Sequence, residues 1–495
     1  MEKATFKDFP LVIETPIVYT TNSDDGSVPP TPLKTAKGDT EKNTAYMRTH
    51  DVFEVSESGP DFRGVNWFGA VVLLTKQQIG LGVLSLLKVL NTLGMVPGMI
   101  LILFIAAVAT YGSVVIGKFA QTHPGVHTMG DVGFIIAGVA GRELFGWGFW
   151  LLECFCAASG ILATSIALNT VSDHGTCTIV FVVVAAIAIA LGASPRTFKQ
   201  ISWFGYIGVC SLLPAIFIAT ISIGVSDRPP NAPAGPYDKR LRAFGDCTLV
   251  EGLGAIVNIL FAYAGSAGFL PVISEMRNPK GYTSAVLTCQ AFSTALYVSI
   301  ACVLWYYCGQ YIASPALGSA GPLIKKIAYG IAIPGLLAGP IIYAHLSTKF
   351  CFVRILRGTR HLQEPTAVHW FTWLGLVTSI VIFCFVIAEV VPFFDELIGL
   401  VGAVFSSMFT ILVPGLMWLY DNRDEKQNGA RTLKNKLLYL NAVMMMIAGV
   451  SLLVLGLYAS VENIKSAFAE GSIGSPFSCA DNSVTTTSYT NDTST

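Results

Sequence analysis

The chain has 495 residues, 53% hydrophobic and only 13% charged, with 31 Lys and Arg balanced by 31 Asp and Glu and a mean hydropathy of +0.61. Charge this sparse cannot clothe a water-soluble body of such size, and a net charge of zero gives no electrostatic footprint for a nucleic-acid partner. A protein that lives in the lipid bilayer is what remains, each crossing helix needing about 20 apolar residues.

Residues 1–62 include "TNSDDGSVPPTPLKTAKGDTEKN" and are too polar to bury a core, so they are expected to form a disordered cytosolic tail, with ubiquitin-ligase adaptors as candidate partners. No cleavable signal peptide is expected. Eleven apolar segments follow, at 67–90, 95–119, 144–171, 177–193, 201–225, 250–274, 282–307, 322–350, 368–391, 396–420 and 437–459. They divide into a five-helix group over 63–225, an outer loop over 226–248 and a second five-helix group over 249–420. A cytosolic loop (421–436), an eleventh helix (437–459) and an outer, disordered tail (460–495) complete the expected organisation.

Of the 31 Lys and Arg, 22 fall on the side of the N-terminus, 8 fall on the other side, and Lys76 is left inside the membrane. This bias puts the N-terminus in the cytosol and, after an odd number of spans, the C-terminus outside. Among eleven Cys, those in the spans read as small packing residues. Cys177, Cys247, Cys308 and Cys479 fall on the outer side, where a disulfide is chemically allowed; the spacing leaves the pairing open.

The first span reads "VVLLTKQQIGLGVLSLLKVL" over 71–90 and puts Lys76, Gln77 and Gln78 directly before Gly80 and Gly82. The first span of the second group reads "FAYAGSAGFLPVISEM" over 261–276 and gathers Gly265, Ser266, Gly268 and Pro271, which should unwind it. Five is odd, so the second group enters the membrane in the opposite direction, and the two breaks occupy corresponding places of an inverted repeat. One glycine pair would read as a helix-packing device; two breaks at equivalent places, one beside a lysine, favour a site. Unwound backbone is tolerated in a membrane only where it is buried in protein or lines a wet cavity. Its free amides meet a carboxylate and its free carbonyls an ammonium group, so a zwitterion of amino-acid size fits. The candidate substrate-binding residues are Ile79, Gly80, Leu81, Gly82 and Val83 in the first break and Phe261, Tyr263, Ala264, Gly265, Ser266 and Gly268 in the second. The surrounding walls (Leu81, Leu84, Phe261, Tyr263, Phe269) are apolar or aromatic with no carboxylate beside them, so neutral amino acids are expected.

Lys76 lies about nine residues into its helix, roughly 14 Å deep at 1.5 Å per residue, and Glu153 in the third span lies at a matching depth. Charges at that depth usually find a partner, so a Lys76–Glu153 pair is expected, as a proton-coupling device or as a packing brace. Glu275 is placed as a gate or helix-end residue at the cytosolic end of the sixth span. Glu251, Glu389, Asp395 and Glu396 fall near outer ends within reach of water, and His345 reads as a helix-packing residue.

The run "FAYAGSAGFLPVISEMRNPKGY" over 261–282 carries Pro271, Glu275, Met276, Asn278 and Pro279 in a P-x-x-x-E-M-x-N-P pattern that resembles the amino acid/auxin permease family. "IGLGVLSL", "TLGMVPGMIL" and "IIYAHLSTKFCFVRILRGTRHL" resemble the first, second and eighth helices of its fungal members, and the resemblance covers about residues 63–460. It implies an all-α, leucine-transporter-like 5+5 inverted repeat plus one extra helix, with an amino acid held between the first and sixth helices. It also implies proton symport by alternating access at a fungal membrane, the plasma membrane ahead of the vacuolar one. In sodium-coupled relatives the place of Lys76 resembles an Asn that helps hold the ion, so the ammonium is expected to stand there itself. The family usually has Pro after "LS(I/L)", where this chain has Leu87 and Lys88. No His/Glu spacing or G-x-S-x-G suggests an enzyme, and no metal or cofactor is expected. A channel would need a ring of filter elements, which is not visible. The rival reading is an amino-acid sensor built on the same scaffold.

Overall fold

The first apolar segment folds as two helices, not one. Asn66 caps helix α1 (Trp67–Gln78) by accepting the Gly69 amide at 2.7 Å, and the helix stops where Ile79 leaves helical space at φ −87°, ψ 85°. The chain resumes as α2 (Gly82–Leu93). The computed structural model describes residues 64–483 apart from 81, 197, 227, 230–231, 234, 314, 357–358, 363, 365, 392–393, 424–432 and 470–476; the tail expected over 1–62 lies outside the described residues.

Four helices complete the first group: α3 (Met95–Thr122), α4 (Met129–Ser172), α5 (Thr178–Ala193) and α6 (Phe198–Val225). The second group opens with α7 (Leu249–Ala262), a 3₁₀ stretch (Ala264–Gly268) and α8 (Phe269–Glu275). It continues with α9 (Tyr282–Cys308), α10 (Pro322–Leu356), α11 (Ala367–Val390) and α12 (Phe394–Val401). A π-helical stretch (Gly402–Leu412) leads into α13 (Val413–Asp421), and α14 (Leu433–Ala469) follows. Nine helical stretches among the described residues are long and apolar enough to cross a bilayer, and α5, with 16 residues, is a shorter apolar helix. The described residues contain no β-strand, only an isolated parallel bridge between Val65 and Met276.

Several boundaries differ from the sequence expectation for physical reasons. Helix α4 starts at Met129 instead of 144 because Thr128 and Asp131 form a capping box; non-helical Ala137 and Gly138 (φ 64°) then kink the chain before the crossing part. Pro271 does not cause the second break. It sits in the first turn of α8, where its missing N–H forfeits no helical bond, and the interruption lies upstream at 263–268. The eleventh segment runs to Ala469, ten residues past its expected end. Glu389 and Asp395, expected at water, are only 6% and 9% exposed, whereas Glu251 is exposed and caps the start of α7.

Helix α10 packs along both α4 and α6. A Cβ on Gly160 of α4 would stand 2.5 Å from Pro340 Cγ of α10, so the two helices approach at backbone distance. Helices α2 and α7 pair with each other, while α1 packs against α9, α6, α8 and the 3₁₀ stretch.

Of the tail expected over 460–495, residues 470–476 and 484–495 lie outside the described residues, and the part at 477–483 differs from the expectation of a free chain. Cys479 forms a disulfide with Cys177, which settles the pairing that spacing left open. Around it, Thr178 Oγ1 donates to the Ala480 carbonyl at 2.6 Å, Asn482 Nδ2 to Ser165 Oγ at 2.9 Å and Lys325 Nζ to the Ser483 carbonyl at 2.9 Å. Residues 477–483 are therefore fastened across the ends of α4, α5 and α10, although their polar composition resembles that of a free tail.

Candidate substrate site between two interrupted helices

Three glycines let the two breaks touch. A Cβ on Gly82 would lie 2.5 Å from Ala262 Cα, one on Gly265 2.8 Å from the Gln77 carbonyl oxygen, and one on Gly268 2.6 Å from Gln77 Oε1. The end of α1 thus rests directly on the 3₁₀ stretch, and α2 on α7. Tyr297 of α9 fastens the arrangement: its hydroxyl lies 2.7 Å from the Gln78 carbonyl and 3.0 Å from that of Ala262, so one O–H serves the ends of both interrupted helices. Thr410, from the π-helical stretch, meets Ser266 Oγ at 2.9 Å and donates to the Tyr263 carbonyl at 3.4 Å.

A cavity opens at this junction. The first break supplies Gln77, Gln78, Gly80 and Gly82, and the second Phe261, Ala264, Gly265 and Gly268. Helix α4 contributes Leu152, Glu153 and Cys156, and α10 contributes Tyr343. Gln78 Nε2 donates to Gln290 Oε1 at 3.3 Å, and Gln290 Nε2 to Ser113 Oγ at 3.3 Å. In contrast, among the described residues Gln77 Oε1, Gln78 Oε1 and Glu153 Oε2 find no hydrogen-bond partner. Three acceptor oxygens without donors therefore belong to residues lining one cavity, an arrangement that suits a ligand bearing N–H groups.

Of the residues expected from sequence, Gly80, Gly82, Phe261, Ala264, Gly265 and Gly268 line this space, and so does Glu153. Ile79, Tyr263 and Ser266 are buried and are not among the lining residues. Leu81 lies outside the described residues, and Val83 lies in α2 with its side chain outside the description. Gln77, Gln78, Leu152, Cys156 and Tyr343 were missed. The two glutamines carried a signal, since amides are costly in a span unless they line a cavity or a polar network; Tyr343 carried none. The expectation that no carboxylate faces the site is corrected by Glu153, because α4, distant in sequence from both breaks, lies beside them.

Lys76 is buried but is not among the cavity-lining residues. Its Nζ donates to the Gly335 carbonyl of α10 at 3.3 Å. The stem passes Gly208 of α6, where a Cβ would stand 2.5 Å from Lys76 Cε, and the head lies by Gly339. Among the described residues no ion pair joins Lys76 to Glu153, so the expected pair is not formed: the ammonium has a carbonyl partner on the α10 side.

The model for transmembrane amino acid transporter proteins matches residues 63–461. The chain belongs to that family. It is 38% identical, over 94% of its length and 97% of the other's, to a Gibberella moniliformis protein named a transmembrane transporter. It is 32% identical, over 86% and 91%, to the N amino acid transport system protein of Neurospora crassa. Among solved structures, a manganese transporter of Eremococcus coleocola is similar at 15% identity and a TM-score of 0.48, covering 85% of this chain and 96% of that one.

In this transmembrane amino acid transporter family member, the P-x-x-x-E-M-x-N-P residues join the end of α8 to the start of α1. Val65 donates its amide to the Glu275 carbonyl at 3.0 Å and accepts from the Arg277 amide at 2.9 Å, tying the start of α1 to the end of α8. Asn278 caps the turn that Pro279 begins. The Glu275 carboxylate, 6% exposed, stands 3.9 Å from Lys349 Nζ of α10. His345 packs edge-on against Trp373 with ring centroids 5.2 Å apart. The protein is thus an all-α, multi-pass membrane protein of a family that transports amino acids.

Proposed function

We propose that this protein moves neutral amino acids by proton symport with alternating access, using a 5+5 inverted repeat of ten crossings followed by an eleventh. The observation that carries the reading is the meeting of the two interrupted helices at one cavity, whose walls combine bare backbone with unpartnered acceptor atoms. Freed carbonyls and side-chain acceptors receive the substrate ammonium, and half-helix amides receive its carboxylate. Phe261, Leu152 and the alanine and glycine surfaces suit an uncharged side chain.

Three contacts give the cycle its moving parts. Lys76, reaching from α1 to the Gly335 carbonyl, holds the place a sodium ion takes in sodium-coupled relatives and braces α1 against α10. Glu275 and Lys349 form the cytosolic gate between α8 and α10. The fastened outer segment at Cys177–Cys479 supports a C-terminus outside and a cytosolic N-terminus, as the Lys and Arg bias does, and the plasma membrane is the home. The test is uptake of labelled leucine, phenylalanine, alanine, arginine and glutamate into proteoliposomes with and without an inward proton gradient. Gradient-stimulated uptake of the neutral three is expected; sodium-dependent, pH-independent uptake, or preference for arginine or glutamate, contradicts the reading.

A further inference from the structure

We propose that Glu153, and not Lys76, carries the coupled proton, an assignment that rests on the symport reading above. Among the described residues near the breaks, the buried amine Lys76 and the buried carboxyl Glu153 differ in their surroundings. Lys76 is held by the Gly335 carbonyl and wedged against Gly208 and Gly339, away from the cavity lining. Glu153 lines the cavity itself, is 4% exposed, and its Oε2 has no hydrogen-bond partner among the described residues. A coupled proton must reach outer and cytosolic water in turn, and the cavity that admits the substrate is the route both can share.

Among the described residues no cation is in contact with Glu153: on α10, Lys349 and Arg354 face Glu275 and Glu143, and Lys325 and Lys326 face Ser483 and Asp173. Its own helix brings Cys154 and Cys156, and α10 brings Tyr343, within electrostatic reach. Helix α11 contributes Cys384, beside Cys154. Helix α5 and the π-helical stretch contain no ionisable side chain; the acids of α12 (Asp395, Glu396) stand at its outer start, and Tyr420 and Asp421 of α13 stand at the cytosolic end. From α1 the neighbours in the lining are the amides Gln77 and Gln78. Among the described residues no ion pair involves Glu153, and a buried carboxylate without a cation is costly as an ion. A proton from outer water bonds to the Glu153 carboxylate, crosses as a neutral carboxylic acid beside the zwitterion, and leaves to cytosolic water. One positive charge moves per amino acid, and no bond to the substrate is made or broken.

The test uses the full chain in proteoliposomes, reading leucine accumulation under an inward proton gradient, leucine-evoked internal acidification, and leucine exchange at equal pH. E153Q mimics the permanently protonated acid. Because Glu153 also lines the cavity, this variant is expected to exchange leucine more slowly but measurably, while its accumulation ratio falls to one and its acidification disappears. K76M is expected to exchange more slowly yet still to accumulate leucine and acidify the lumen. Accumulation by E153Q, or loss of acidification by a K76M variant that still exchanges, overturns the assignment; the second outcome decides even if E153Q fails to fold. A wild-type protein that ignores the gradient overturns the symport reading itself, whereas a responsive wild type with an equally responsive E153Q overturns only the role of Glu153.

Discussion

Gly82→Ala and Gly80→Ala add the same methyl group two residues apart on one cavity wall, and the structure predicts opposite outcomes. On Gly82 the new carbon would lie 2.5 Å from Ala262 Cα and 3.0 Å from Ala262 Cβ. Carbon pairs rest at about 3.5–4.0 Å, so α2 and α7 must part by about 1 Å or more. Neither neighbour is the end of a flexible chain, and overpacking of this kind costs about 1–3 kcal/mol. That is roughly 5- to 150-fold in the population of the arrangement that joins α2 to α7. On Gly80 the nearest atoms are Tyr343 Oη at 3.8 Å and the Lys76 carbonyl oxygen at 4.0 Å, ordinary contacts that require no movement. Initial rates of labelled leucine uptake at matched surface expression, with thermal unfolding of the purified proteins, compare the two. Gly82→Ala is expected to lose about tenfold or more of the rate and some thermal stability, and Gly80→Ala to stay within about threefold. Equal behaviour, or greater damage from Gly80→Ala, would refute the steric argument.

Lys76→Met loses a charge-assisted bond of about 1.5–3 kcal/mol but also the desolvation of an ammonium, so its melting temperature should change little while turnover slows; a large loss of stability would contradict this. Glu275→Gln weakens the 3.9 Å contact with Lys349 and should speed leucine efflux from preloaded vesicles by favouring the cytosol-open form; unchanged efflux removes Glu275 from the gate. Cys479→Ser frees the strap across α4, α5 and α10, at a cost of up to a few kcal/mol, and should leave a lower melting temperature that reductant no longer shifts. If reductant leaves the unaltered protein's melting temperature where it was, that link contributes nothing measurable to stability.

The breaks were legible because two glycine clusters stand at corresponding places in two apolar spans, where a single cluster would read as packing; Gly80, Gly82, Gly265 and Gly268 line the cavity. What joins them was not legible. Tyr297, whose one hydroxyl meets both helix ends, lies in an ordinary apolar span, and nothing local distinguishes it from a lipid-facing tyrosine. Matching depth drew Lys76 and Glu153 together on paper, but depth fixes only one coordinate. The direction of each side chain around its helix sends the lysine toward Gly335 and leaves the carboxylate at the cavity. Likewise the polar composition of 477–483 reads as free chain, because a covalent anchor at Cys479 and a few hydrogen bonds hold the segment without any apolar core.

The central claim is that an amino acid occupies the space between the two breaks, and a native cysteine reports on it. Cys156 lines that cavity, whereas Cys210 is exposed on α6, outside it. The modification rate of each by a small methanethiosulfonate reagent, followed by mass spectrometry of the peptides, compares the two sites in one sample. Saturating leucine is expected to slow labelling of Cys156 severalfold and leave Cys210 unchanged; equal rates at Cys156 with and without leucine, in protein shown to transport it, would contradict the placement.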